Sequence, residues 1–320
     1  MGKILYLYPM LSTLQIPPFL EKGAKVALVS PAGCIEPACV ERGLSVLKSW
    51  GLQVEVGANV LKNFGPFAGT DAERLADLQA ALDNPEIRAV ICTRGGYGSV
   101  RLIDRLDFTA FMQHPKWIVG FSDITVLLSH LQQNLGVASL HSCMPQTYPA
   151  PQDPDYVSSV GSLKKALFGE SLVHRFRNQF LNRPGSVTAP LIGGNLSILY
   201  SLRGTPTDID PTGKILFIED LDEFDYHIDR MMMNLERGGW FKRIAGLIVG
   251  TFTQIKKGAH PYTRDVWEII GSYAAPYSYP VCYGFPAGHV PYNRALYMGI
   301  PACFEVDNSA QSPSQLSFLL

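Results

Sequence analysis

At roughly 100–200 residues per domain, a chain of 320 residues makes about two domains with room for a full core. Only 17% of the residues are charged, against about 25% in an average protein, and with 16 Phe and 14 Tyr this excludes a disordered chain. The 27 Lys plus Arg and 28 Asp plus Glu leave a net charge of −1 with no Lys/Arg run, which argues against nucleic acid or an anionic membrane as partner and leaves a small molecule or a peptide.

Near the start of the sequence Lys3 is followed by the apolar stretch ILYLYPMLSTL (4–14). It faintly resembles a secretion signal, but Pro9 interrupts it and no small-x-small cleavage site follows, so it reads as an extension ahead of IPPFLEKG. KVALVSPAG (25–33) is an apolar strand running into a turn, and residues 36–50 carry helical spacing through Val40, Leu44, Leu47 and Trp50, stopped by Gly51. LQVEV (52–56) is a strand, and Thr70 with Glu73 forms a capping box at the start of the helix DAERLADLQAALDN. RAVICT (88–93) is a strand followed by the glycine loop RGGYGS, KWIVGF (116–121) a strand, DITVLLSHLQQNLG (123–136) a helix, and VASLH (137–141) a strand. This alternation predicts an α/β fold whose N-terminal domain, residues 1–150, is a parallel, Rossmann- or flavodoxin-like sheet covered by helices.

Pro145, Pro149, Pro151 and Pro154 exclude helix and central strand from MPQTYPAPQDPDY (144–156) and mark a linker, taken as 151–185, although a short helix near 158–168 and a strand-like HRF fall beyond the prolines. The second domain, 186–320, contains PLIGGNLSILYSL, the buried strands KILFIED (214–220) and RIAGLIVGTF (243–252), and the helix YHIDRMMMNLERGG. Cys34, Cys39, Cys92, Cys143, Cys282 and Cys303 form no C-x-x-C pair, so they read as thiols of a reducing compartment, by default the cytoplasm, and no structural zinc is expected. No apolar run reaches the ~20 residues of a membrane helix.

Four segments carry chemistry. In KWIVGFSDITVLLSHL an apolar strand stops at Gly120-Phe121-Ser122 and a helix starts at once, so Ser122 sits on a sharp turn beside free first-turn N–H groups. That is the layout of a nucleophile elbow, with Ile124 where a second glycine is usual; from this segment alone a plain helix N-cap serine is the preferred reading. In CTRGGYGS (92–99) three glycines in four positions let backbone N–H groups approach a ligand, either as a second oxyanion donor or merely as a tight turn; neither a Walker motif nor G-x-G-x-x-G is present. After the strand KILFI come Glu219, Asp220, Asp222, Glu223 and Asp225, which read as a solvated acidic turn, as a magnesium site, or, for Glu219, as a carboxylate that orients a histidine. In YGFPAGHVPYN (283–293) two glycines and two prolines present His289 on a rigid loop, where a lone histidine is usually just a surface residue but could serve as a base. The order Ser…Glu…His matches a triad in which imidazole takes the serine proton and a carboxylate fixes its tautomer. The rival reading is a phosphate- or nucleotide-binding module with RGGYGS as cradle.

Together VALVSPAG, ICTRGGYGS, KWIVGFSDIT, GGNLSILYSLRGTP, ILFIEDLDE, YHIDRMMMNL and FPAGH occur in the order seen in the LD-carboxypeptidase family, the serine peptidases that include muramoyltetrapeptide carboxypeptidase, and this chain resembles that family from about 16 to 300. The resemblance implies a catalytic Ser122, Glu219 and His289, and oxyanion donors at the N–H groups of Asp123 and Gly96. It further implies a smaller β-rich C-terminal domain, a site between the domains, no metal or other cofactor, and often a homodimer. The implied reaction cleaves the amide joining an L-centre to the terminal D-Ala of murein tetrapeptides during cytoplasmic recycling of peptidoglycan. A related branch that hydrolyses microcin-type peptidyl nucleotides is the alternative within the family. Arg94, beside the glycine loop, is expected either to bind the substrate's free carboxylate or to anchor the loop. HSCMP (141–145) departs from the family's H-G-P-M, so packing beneath the elbow is expected to differ.

Overall fold

The computed structural model describes residues 14–260, 262–307 and 313–320; residues 4–13, the greater part of the N-terminal apolar stretch, lie outside them. The first five strands are β1 (Lys25–Val29), β2 (Gln53–Val56), β3 (Ile87–Cys92), β4 (Trp117–Gly120) and β5 (Ser139–His141). β1, β3 and β4 are almost wholly buried, as a parallel sheet covered on both faces requires. The helix Pro37–Ser49 covers one face through Val46 and Leu47, and the helix Asp71–Asp83, opened by the Thr70–Glu73 capping box, covers the other through Leu78, Ala81 and Leu82.

The remaining strands are β6 (Val173–Phe176), β7 (Gly185–Asn195), β8 (Ile215–Leu221), β9 (Gly246–Thr253), β10 (Val281–Cys282), β11 (Leu296–Met298), β12 (Pro301–Val306) and β13 (Ser314–Phe318). The first sheet has the order β11-β5-β4-β3-β1-β2, in which β11 alone is antiparallel. The second has the order β10-β9-β8-β7-β12-β13-β6, parallel from β10 to β7 and antiparallel beyond. One apolar cluster joins Val90, Ile118 and Leu127 of the first sheet's layer to Leu191, Phe217 and Phe304 of the second, so the two sheets share a core.

Two features bear on the site. In the first sheet the chain passes from β1 out to β2 and then returns to β3 on the other side of β1, which opens a crevice at the carboxyl ends of β1 and β3. After the loop that carries His289 the chain re-enters the first sheet as β11, paired with β5 through Leu296 and His141, so this loop is tied to both halves. Residues 151–185 are divided likewise: Val160, Leu163 and Leu167 pack into the outer core of the first sheet, and β6 forms the edge of the second. Among the described residues no helix is long and apolar enough to cross a membrane.

Candidate active site

The turn after β4 is as tight as the sequence suggests. Phe121 is extended and Ser122 is left-handed at φ +61°, a conformation that costs a non-glycine residue roughly 1–2 kcal/mol and that persists where surrounding packing imposes it. Ile124 supplies that packing: it is fully buried and closes over Gly120. The Ser122 hydroxyl has no hydrogen-bond partner among the described residues.

The glycine loop lies directly over this turn, and Gly95 rather than Gly96 makes the closest approach. A methyl group on Gly95 would stand 2.9 Å from Ser122 Cβ, 3.0 Å from Oγ and 3.4 Å from the Asp123 nitrogen, so only glycine fits. Gly96, at φ +101°, turns toward Gly33 in the loop after β1, whose N–H donates to the Gly95 carbonyl (2.9 Å). Two buried charges hold the loop in place. Asp123 Oδ2 accepts the Ser99 N–H at 2.8 Å, linking elbow to loop, and burial pushes this carboxyl up. Arg74, 1% exposed, donates to the Pro31 and Gly98 carbonyls, pairs with Asp71, and stands 4.9 Å from the Phe67 ring centroid. Arg94 gives a guanidinium N–H to the Cys34 carbonyl at 2.6 Å, which braces the loops after β1 and β3 against each other.

Glu219, near the carboxyl end of β8, is completely buried, and its Oε2 lies 2.7 Å from Nδ1 of His289. Burial alone would raise the carboxyl, but the adjacent His289 charge and hydrogen bond hold it below its ordinary value. The imidazole shows the complementary effect: burial pulls it down, and the charge and hydrogen bond of Glu219, with a further push from Asp220, raise it above 6.5 overall. Gly288 makes the contact possible, since any side chain there would strike Thr251 Oγ1 at 2.4 Å and Glu219 Oε2 at 2.9 Å. The His289 ring centroid is 4.7 Å from that of Phe121, the residue preceding Ser122. The structure thus brings Glu219 and His289 into a bonded pair and sets that pair beside the serine turn.

Register across the two halves is fixed close by. Asn195 pairs with Glu219 between β7 and β8, and the Asn195 N–H donates to Thr125 Oγ1 (3.1 Å), three residues after Ser122. Asp220 accepts from Asn195 Nδ2 and from the Ser197 and Leu221 N–H groups, each at 2.9 Å, and burial with the neighbouring Glu219 raises its pKa to about 7. The remaining acids of this segment serve separate partners: Asp222 pairs with Lys256, Glu223 with His227, and Asp225 accepts the Tyr226, Gly258 and Tyr262 N–H groups. Beneath the elbow, His141 is wholly buried with both ring nitrogens unbonded among the described residues, and burial lowers its pKa to about 4.

Sequence reading passed over Gly95, Arg74, Asn195 and the Asp123 carboxylate. Asn195 directly follows Gly193-Gly194 in the GGN string, the one cue that could have found it.

Comparison with known proteins agrees across most of the chain. Residues 26–142 match the LD-carboxypeptidase N-terminal domain and residues 188–304 the LD-carboxypeptidase C-terminal domain. A probable murein peptide carboxypeptidase of Bacillus subtilis is 35% identical, covering 89% of this chain and 90% of its own. The murein tetrapeptide carboxypeptidase of Pseudomonas aeruginosa is 33% identical over 88% of this chain and 93% of its own. The crystal structure of muramoyltetrapeptide carboxypeptidase from Oxalobacter formigenes superposes with a TM-score of 0.82 at 28% identity, covering 92% and 98% of the two chains. In fold alone, the microcin C7 self-immunity protein is equally near, with a TM-score of 0.84 at 22% identity over 96% and 98%. Two family domains matched in tandem, with relatives above 30% identity along nearly the whole length, place this chain in the LD-carboxypeptidase family.

Proposed function

We propose that this protein is a metal-independent serine carboxypeptidase that removes the terminal D-Ala from murein tetrapeptides. The observation that carries the reading is the buried Glu219–His289 pair, its ring against Phe121, beside a serine held at φ +61°. Glu219 accepts the Nδ1 proton and so leaves Nε2 as the proton acceptor. Ser122 Oγ attacks the scissile carbonyl as Nε2 takes its proton, and the C–N bond breaks as Nε2 returns that proton to the leaving D-Ala nitrogen. Water then repeats the sequence on the acyl-enzyme, with His289 again as base. The N–H of Asp123 and a glycine-loop N–H, at Gly96 or at the closer Gly95, receive the developing oxyanion. Asn195 and Asp220 act as positioning residues that keep Glu219 in register. Arg94 retains donors beyond its bond to Cys34 and is the proposed contact for the substrate's terminal carboxylate.

The names of the Bacillus and Pseudomonas relatives support a murein peptide as substrate, with the cytoplasmic recycling of wall fragments as its setting. Mass spectrometry of a tetrapeptide library, with and without EDTA, tests the reading. One C-terminal D-residue should be lost in both conditions, and Ser122→Ala should lose nothing while keeping its fold. Turnover by Ser122→Ala, or inhibition by the chelator, would overturn it.

A further inference from the structure

Away from the serine turn, a second concentration of chemistry lies against both ends of the loop that carries His289. A cavity of about 610 Å³ is lined by Arg175, Arg177, Gln179, Tyr292 and Arg294, together with the loop backbone at Gly284 and Pro286. A smaller cavity of about 290 Å³ shares Arg175 and Arg294 and adds Lys165. The strand pattern explains how the cations gather. β6 alternates exposed Val173 and Arg175 with buried His174 and Phe176, and Arg177 follows on the exposed side. The half-buried Arg294 donates Nη1 to the Arg175 carbonyl at 2.7 Å, which fixes its guanidinium at the junction of the two cavities.

Among the described residues no Asp or Glu lines either cavity, and none of Lys165, Arg175, Arg177 and Arg294 forms an ion pair. A chain whose net charge is −1 therefore collects four positive groups along one groove. Like charges gathered in a cleft with low-dielectric walls repel one another and focus their field on whatever anion enters. One carboxylate would neutralise only one of the four. A phosphoryl group offers two or more anionic oxygens in the geometry that guanidinium forks grip in bidentate fashion, and the cavity has the size of a small-molecule site.

We propose that this groove is an anion site for the phosphate or pyrophosphate group of a small molecule, with Arg175, Arg177 and Arg294 holding the phosphoryl oxygens. It is separate from the proposed catalytic residues and stands whether or not the peptidase reading does.

Calorimetric titration of the full chain with inorganic pyrophosphate tests it, with citrate as a carboxylate of comparable charge. Pyrophosphate should bind saturably, more weakly at higher ionic strength, more tightly than citrate, and unchanged in Ser122→Ala. The double variant Arg175→Glu/Arg177→Glu, altered at exposed positions, should lose at least about tenfold in affinity. The milder Arg177→Gln should lose part of it and serves as the readout if the double variant fails to melt cooperatively. Absence of saturable binding, citrate binding as tightly as pyrophosphate, or undiminished binding by a folded charge-reversed variant would overturn the assignment.

Discussion

Replacing Glu219 by Gln probes the bond on which the proposed mechanism depends. The substitution keeps volume and shape but removes the charge that faces Nδ1 of His289 at 2.7 Å. With charge centres about 4 Å apart and an effective dielectric near 20, the carboxylate favours the imidazolium by about 4 kcal/mol, which corresponds to about 10³ in rate. Neither orientation of the new amide repairs the loss. If its carbonyl accepts from Nδ1, its NH₂ occupies the buried position of Oε1, which has no partner among the described residues; if the NH₂ faces Nδ1, the ring proton moves to Nε2 and the base is lost. The pH profile carries a second signature. His289 is raised above 6.5 in the native protein, and a base works only when neutral, so kcat/KM should rise with pH through a value above 6.5. Without the carboxylate, burial pulls the ring down against only the push of Asp220, so in Glu219→Gln this limb should move to lower pH than in the native protein. The assay is D-Ala release from murein tetrapeptide between pH 5 and 9, at fixed ionic strength. Activity within about tenfold of wild type, with an unmoved acid limb, would refute the reasoning.

Gly95→Ala should lose at least about 100-fold in kcat, because its methyl group meets Ser122 Oγ at 3.0 Å and displaces the proposed oxyanion donors; full activity would remove the glycine loop from the mechanism. Ser122→Gly should abolish turnover yet raise stability by about 1 kcal/mol in urea unfolding by relieving the left-handed strain; destabilisation would contradict that strain. Arg74→Met should lower stability by roughly 2 kcal/mol in the same assay, since it leaves the buried Pro31 carbonyl without its donor and takes one donor each from the Gly98 carbonyl and Asp71, which keep Arg101; a neutral effect would mean that the glycine loop holds itself. His141 is lowered to about 4 in the fold against 6.5 when unfolded, so the unfolded chain takes the extra proton and stability falls as pH drops through that window. His141→Leu should therefore reduce the stability lost between pH 7 and pH 5 by about 2 kcal/mol, and a steeper acid loss in the variant would count against a neutral buried imidazole.

Features written in local chemistry were legible beforehand. The Thr70–Glu73 capping box, the helix stop at Gly51 and the turn at Ser122 each follow from a few adjacent residues, and the structure shows all three. The meeting of Glu219 and His289 is different, because 70 residues separate them and only the Ser…Glu…His order and the family resemblance suggested the pairing, with no local pattern to require it. Long-range packing hid the rest. Arg74 appears in the sequence as one more polar residue of an amphipathic helix, and only the fold shows it fully buried under Gly98. Gly95 and Gly96 cannot be told apart by spacing, since which one faces Ser122 depends on how the loop after β1 props the glycine loop through Gly33. The return of residues 296–298 to the first sheet is likewise invisible in a short apolar run, because its partner β5 lies far upstream.

The most direct measurement is peptide mapping after reaction with a serine-directed phosphonate. A single adduct should form on Ser122 at a rate that rises with pH as His289 loses its proton, and Glu219→Gln should slow its formation by about 10³. Labelling at another serine, or equal labelling of Ser122 when His289 is replaced by Ala, would contradict a nucleophile activated by the Glu219–His289 pair.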